Sequence, residues 1–169
     1  MAKLFFALWP DEAAASALEA LAGRIAARSG GKRVARGKIH LTLAFLGEMS
    51  VEREAAIRGV AARVSGAPID ARFDQAGCFW RARVAWAGTS EPAPALIDLQ
   101  KRLAAELGKA GAVLEDRPFA PHVTLARRIE RPIPVEALAP IAWRSRDFAL
   151  VRSERDTGRY ATLERWALR

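Results

Sequence analysis

"GKIHLTLAFLG", residues 37–47, holds His40, and "FAPHVTLARRI", residues 119–129, holds His122; the chain has no other histidine. Each histidine is followed by an apolar residue, a threonine, a leucine and an alanine. In extended backbone, successive side chains point to opposite faces. His40, Thr42 and Ala44 are therefore expected on one face of a strand, with Leu41, Leu43 and Phe45 on the other. His122, Thr124 and Ala126 repeat the arrangement against Val123 and Leu125. Each strand offers an apolar face for helices to cover. The other face carries an imidazole, a hydroxyl and a small residue that leaves room for a ligand.

One His-x-Thr alone usually marks a satisfied, partly buried pair on a strand. Two are a different matter. The chain has five threonines in 169 residues. Threonine by accident at the same offset from both histidines then has a chance of about one in a thousand, a figure that strand propensity raises somewhat.

The surroundings of the two motifs also match. "LFFALW", a long amphipathic helix and "HLTLAF" run in the same order as "VAWAG", a helix and "HVTLAR". Leu4 precedes His40 by 36 residues and Val84 precedes His122 by 38. Asp11 is placed to cap the first helix, with Leu18, Leu21 and Ile25 on one face and Gly30 and Gly31 as its stop. Ser50 is placed to cap a second helix carrying Ile57, Val60, Ala61 and Val64. A third, with Pro92 in its first turn, carries Leu96, Leu99, Leu103 and Leu107. "IDARFDQAGCF" and "ARVAWAG" read as a strand pair, and "RSRDFALVRSE" and "GRYATLERWAL" as two last strands. "RPIPVEALAP" reads as a proline-rich connection with at most a helical turn. The fold expected is α+β: residues 1–169 as a single domain of two similar lobes packed together.

Composition narrows the function. Cys78 is the one cysteine, so no disulfide forms within the chain, which suits a reducing cytoplasm. The apolar run "LFFALW" is too short for a secretory segment, and no run approaches the roughly 20 residues of a membrane span. A cytoplasmic protein without a membrane partner is expected, and no obligate protein partner is evident, which fits a monomer. The net charge of +8 favours polyanionic ligands such as nucleic acid, although scattered arginines also serve solubility.

Imidazole titrates near pH ~6.5, so one ring can be neutral and another protonated in the same site. Such a pair suits displacement at phosphorus, one ring taking a proton from the attacking oxygen and the other protonating the leaving oxygen. Threonine hydroxyls can donate to phosphate oxygens and an arginine can neutralise their charge. No third histidine or acidic cluster stands at metal-ligand spacing, so neither metal nor cofactor is expected. Composition and spacing do not tell which histidine is acid and which is base.

"KLFFALWP", "KIHLTLAFLGE", "RVAWAG", "RPFAPHVTLAR" and the closing "Y..LERWAL" together resemble the 2H phosphoesterase superfamily. Within it they resemble the RNA 2′,3′-cyclic phosphodiesterases, also called 2′-5′ RNA ligases, over nearly the whole chain. The resemblance implies a bilobal pseudo-symmetric duplication, with two antiparallel sheets lining a central cleft and helices outside. It implies hydrolysis of an RNA 2′,3′-cyclic phosphate to a 2′-phosphate, with RNA ends or cyclic nucleotides as partners. In that scheme His40 is the general acid, His122 the general base, Thr42 and Thr124 hold phosphate oxygens, and Arg127 contacts phosphate.

Strict alternation puts Arg127 on the apolar face with Val123 and Leu125. To reach phosphate, the strand must end or bulge just before it. Phe79 and Trp80 are candidate platforms for a nucleobase, and Phe5 or Phe6 is a candidate to line the cleft. Lys32, Arg33, Arg36, Lys38 and Arg117 lead into the two histidines and are candidate guides for an RNA backbone. Rival readings are 2′-5′ ligation or cleavage, a small cyclic phosphate as substrate, and a module that only holds RNA ends.

Overall fold

The computed structural model describes residues 2–169. Strands β1 (Lys3–Leu8), β2 (Lys32–Arg33), β3 (Leu41–Glu48), β4 (Ile69–Phe79), β5 (Val84–Gly88), β6 (His122–Arg127), β7 (Glu136–Ser145), β8 (Asp147–Ser153) and β9 (Tyr160–Ala167) form one antiparallel sheet. Helices α1 (Glu12–Ser29), α2 (Val51–Ala61) and α3 (Pro94–Lys109) cover one face. The strand order is β7-β4-β5-β6-β3-β1-β8-β9, with β2 added beside β6. Among the described residues no helix is long and apolar enough to cross a membrane.

The helices start and stop where short-range chemistry directs. Asp11 accepts from the Ala14 amide, and Gly30 ends α1 with φ 73°. Ser50 accepts from the Arg53 amide at the start of α2. Pro94, not Pro92, occupies the first turn of α3, where the missing N–H costs nothing.

Each half of the sheet has four strands in matching connection: β1-α1-β3 in one, β5-α3-β6 in the other. The two halves are joined through a single residue pair, Leu41 of β3 with Val123 of β6. Past that pair the strands part, and Lys32 and Arg33 fill the wedge by pairing with Arg127 and Ala126. The expected pair of sheets is thus one sheet hinged at its middle. The helices tie the halves together: α1 follows β1 yet packs over β6 and β7 of the other half, and α3 follows β5 and packs over both β4 of its own half and β3 of the other. Leu18, Leu21 and Ile25 of α1 and Leu96, Leu99, Leu103 and Leu107 of α3 meet the sheet in one core. Each fully buried aliphatic side chain contributes about 1.5–3 kcal/mol relative to exposure.

The second half of the proline-rich connection, from Glu136, is the start of a strand. Residues 136–145 form β7, which pairs with β4 at the sheet edge. An edge strand tolerates proline because one side of it needs no donors. Pro140 also falls where the β4–β7 register slips, between the pairs Phe73–Ile141 and Gln75–Ala137. Trp143 anchors the strand in the core and donates its indole N–H to Ser145 Oγ at 2.7 Å.

Candidate active site

The uncovered face of the sheet carries the histidines. With Leu41 opposite Val123 in an antiparallel pair, His40 falls across from Thr124 and Thr42 across from His122. The four side chains share the face opposite to the buried Leu41 and Val123.

Both strands then bulge at the same place. Phe6 pairs with Ala44 and Ala7 with Thr42, so Leu43 has no partner of its own. Ala85 pairs with Ala126 and Trp86 with Thr124, leaving Leu125 likewise unpaired. An extra residue reverses the alternation beyond it. Ala44 is therefore buried at 8% exposure and Ala126 at 0%, both in the helix-covered core. Neither shares the histidine face as strict alternation requires. Phe45, expected on the apolar face, is 43% exposed, and Arg127 emerges from the sheet as an exposed side chain. Arg127, His40 and Thr124 line a common cavity of about 310 Å³ with Lys32, Lys38 and Tyr160.

The imidazoles are held alike. His40 Nδ1 lies 2.7 Å from the Lys38 carbonyl oxygen and His122 Nδ1 2.8 Å from that of Ala120. A carbonyl only accepts, so each Nδ1 carries a proton and donates it. Each Nε2 is left as the atom that exchanges a proton. His40 Nε2 lies 3.0 Å from Thr42 Oγ1, which donates to it when the ring is neutral. His122 makes no matching bond to Thr124.

Burial pushes both imidazoles below their ordinary value, because desolvation penalises the charged ring. The Nδ1 bonds oppose the shift. For His40 the charges of Arg127 and His122 add to it. For His122, Arg117 and Arg127 add to it and Glu115 opposes it.

The walls differ. Phe5, Trp9 and Tyr160 surround His40, with ring centroids 4.9, 5.7 and 5.5 Å away. Lys38 Nζ sits 5.3 Å from the Tyr160 ring centroid. His122 has Phe79 edge-on at 5.1 Å, and Phe79 leans on Trp86. Trp86 lies flat over Gly77 and Gly88, where a Cβ would stand 2.6 and 2.9 Å from the indole. Trp80 is turned away, toward the Arg83 guanidinium at 4.4 Å. Of the two first-strand phenylalanines, Phe5 faces the site and Phe6 the core. Arg36 is drawn off the approach by Glu12 and Glu19 on α1, and Arg117 is paired with Glu115.

Sequence reasoning singled out neither Trp9 nor Tyr160 as a wall of the site. Tyr160 is the only tyrosine, and it reaches His40 from the last strand through the β8–β9 pairing. Its signal is its place at the head of "Y..LERWAL".

A sheet that brings one His-x-Thr from each of two similarly connected halves onto one open face, with an arginine beside them, defines a two-histidine phosphoesterase. The chain belongs to the 2′-5′ RNA ligase superfamily, whose family model matches residues 9–157. An RNA 2′,3′-cyclic phosphodiesterase of Escherichia coli (strain K12) is 36% identical over 141 residues, covering 82% of this chain and 80% of that protein. One from Thermus thermophilus is 34% identical over 184 positions, covering 99% and 90%. The crystal structure of E. coli LigT in apo form superposes with a TM-score of 0.88 at 32% identity, over 99% of this chain and 97% of that one. LigT complexed with 3′-AMP superposes with a TM-score of 0.85 at 33% identity, over 99% of this chain and 98% of that one.

Proposed function

We propose that this chain hydrolyses the 2′,3′-cyclic phosphate of an RNA end to a 2′-phosphate and a 3′-hydroxyl, without a metal. The observation that carries the reading is the cross-strand square of His40, Thr124, Thr42 and His122, in which both Nδ1 atoms are tied to carbonyls, so that proton exchange falls to the Nε2 atoms, that of His40 beside Thr42 Oγ1. His122 Nε2 takes a proton from water as its oxygen bonds to phosphorus. The P–O3′ bond breaks, and His40 Nε2 delivers a proton to O3′. Each transfer contributes about 10²–10⁴ in rate. Arg127 and the Thr42 and Thr124 hydroxyls hold the non-bridging oxygens as charge builds on them. Phe79, beside His122, is the platform for the terminal base.

Lowered imidazole values suit this division. Burial favours the neutral ring of His122, as a base requires. It favours the neutral ring of His40 too, and a phosphate anion beside it offsets this by favouring imidazolium. The relatives named RNA 2′,3′-cyclic phosphodiesterase support the substrate class. With a 5′-hydroxyl in place of water, the same groups form a 2′-5′ linkage, which the family's name favours as a second reaction.

The test is ³¹P NMR of the product from a 2′,3′-cyclic mononucleotide, with and without chelator. A 2′-phosphate formed equally in both is expected. No turnover at any pH, or turnover abolished by chelator, overturns the proposal.

A further inference from the structure

A second hollow adjoins the histidine cavity. It is an open shelf of about 520 Å³ lined by Arg83, Val84, Arg127, Arg128 and Glu130 among others. Arg127 and Arg128 line both hollows, so the two are neighbours. The mechanism above uses Arg127 and leaves Arg83, Arg128 and Trp80 without a role.

Backbone conformation, hydrogen bonding and unpaired charge give the shelf a built character. Arg83 and Arg128 both lie in the left-handed region at φ 55°, an uncommon place for residues with a Cβ, kept only where the surroundings dictate it. Arg83 is clamped there: its carbonyl accepts from the Ile129 amide at 3.2 Å, and its Nη1 donates to the Ile129 carbonyl at 3.0 Å. That clamp sets the guanidinium over the Trp80 ring at 4.4 Å. Trp80 nonetheless remains 42% exposed, which few large apolar side chains of this protein do. Neither Arg127 nor Arg128 has an ion-pair partner among the described residues. The shelf's carboxylate, Glu130, lies against Gly30 at the end of α1.

An exposed aromatic braced by one guanidinium, with free cations leading from it to the reacting phosphate, is the chemistry that holds single-stranded nucleic acid. We propose that Trp80, Arg83 and Arg128 form a second nucleotide subsite. The base of the penultimate residue stacks at Trp80, and the phosphate joining it to the terminal nucleotide is met by Arg128. The inference rests on the RNA-end reading above and adds that the enzyme measures more than the terminal nucleotide.

The experiment compares kcat/KM for a 2′,3′-cyclic mononucleotide with that for a trinucleotide ending in the same cyclic phosphate. Wild type, Trp80→Ala, Trp80→Phe and Arg128→Asn are compared, asparagine being tolerant of the left-handed backbone. Wild type is expected to favour the trinucleotide about tenfold or more. Trp80→Ala should erase most of that ratio and Trp80→Phe restore it. Arg128→Asn should lower it and reduce the salt slope of the trinucleotide by roughly one. A ratio unchanged in Trp80→Ala, or an equal fall for both substrates that Trp80→Phe does not reverse, overturns the subsite. Binding of a non-hydrolysable single-stranded RNA trimer is read in parallel. Weaker binding in Trp80→Ala, with wild type inert toward both cyclic substrates, would leave the subsite standing and remove the hydrolytic reading. Equal trimer binding by both proteins would remove the subsite.

Discussion

Leu41 and Val123 are the pair through which the two halves of the sheet meet, and their pairing sets each histidine across from the other strand's threonine. Neither leucine nor valine touches chemistry. They place it, because a cross-strand partner fixes register and register fixes face.

Replacement of His40 or His122 by alanine should each lower kcat by about 10²–10⁴, with the double variant little worse than the poorer single one, since the two act as a unit. Both sites are only partly buried, so far-UV circular dichroism should be unchanged. Steady-state kinetics with a cyclic mononucleotide checks this. Retention of more than about a tenth of the activity in either variant would remove that histidine from the mechanism.

The pH dependence follows from burial and from Arg127. Both imidazoles are pushed down in the free enzyme, so the kcat/KM profile should be a bell centred below the ordinary imidazole value of 6.5. The substrate anion favours protonated His40, so the alkaline limb of kcat should lie higher than that of kcat/KM. Arg127→Met removes a cation that depresses both rings. Its profile should move to higher pH while its maximum falls. A lower maximum with no pH shift would place Arg127 away from the imidazoles.

Stability should respond to the same groups. The unfolded chain's histidines titrate near 6.5, and the folded ones lower. Between those values the unfolded chain binds more protons, so stability rises with pH through that window. It is fully present above about pH 6.5 and is lost as pH falls through the folded values. Tm measured from pH 8 to pH 5 should fall, and a His40→Gln/His122→Gln double variant should show a flatter slope over that range. Identical slopes would mean that burial of the rings carries no such cost.

Gly77→Ala tests the support beneath His122. A Cβ there would stand 2.6 Å from the Trp86 indole, and Trp86 backs Phe79, which meets His122 edge-on. Overpacking of this kind costs about 1–3 kcal/mol. The denaturant midpoint should drop accordingly, and kcat/KM should fall with it. Unchanged stability would show that Trp86 is free to move aside.

Much of this was written locally. Asp11, Ser50 and Gly30 mark helix ends through contacts with residues three or four positions away, and the stripe from Leu96 to Leu107 follows from helical period alone. The paired His-x-Thr could be read because alternation over two residues needs no partner strand. Strand β7 could not. Pro140 argues against a strand, and only the place of β7 at the sheet edge and the register slip beside that proline make one possible. Arg36 reads as an RNA guide in its basic run, and α1 claims it with two carboxylates.

Residue types and short spacings picked out two histidines and two threonines as candidates for one site on an α+β framework, and the family resemblance added Arg127 against the direction that strict alternation gave it. Which way Arg127, Phe45, Ala44 and Ala126 point was decided only in the folded sheet. A bulge exists by count against a neighbouring strand: Leu125 is extra because Ala85 and Trp86 take the residues on either side of it, and Leu43 because Phe6 and Ala7 do the same. That count compares residues about 40 positions apart in sequence, roughly an order of magnitude beyond the reach of a helical turn. Tyr160 reaches His40 across a larger gap still, carried there by strand pairing and by the exclusion of water from the rings around it.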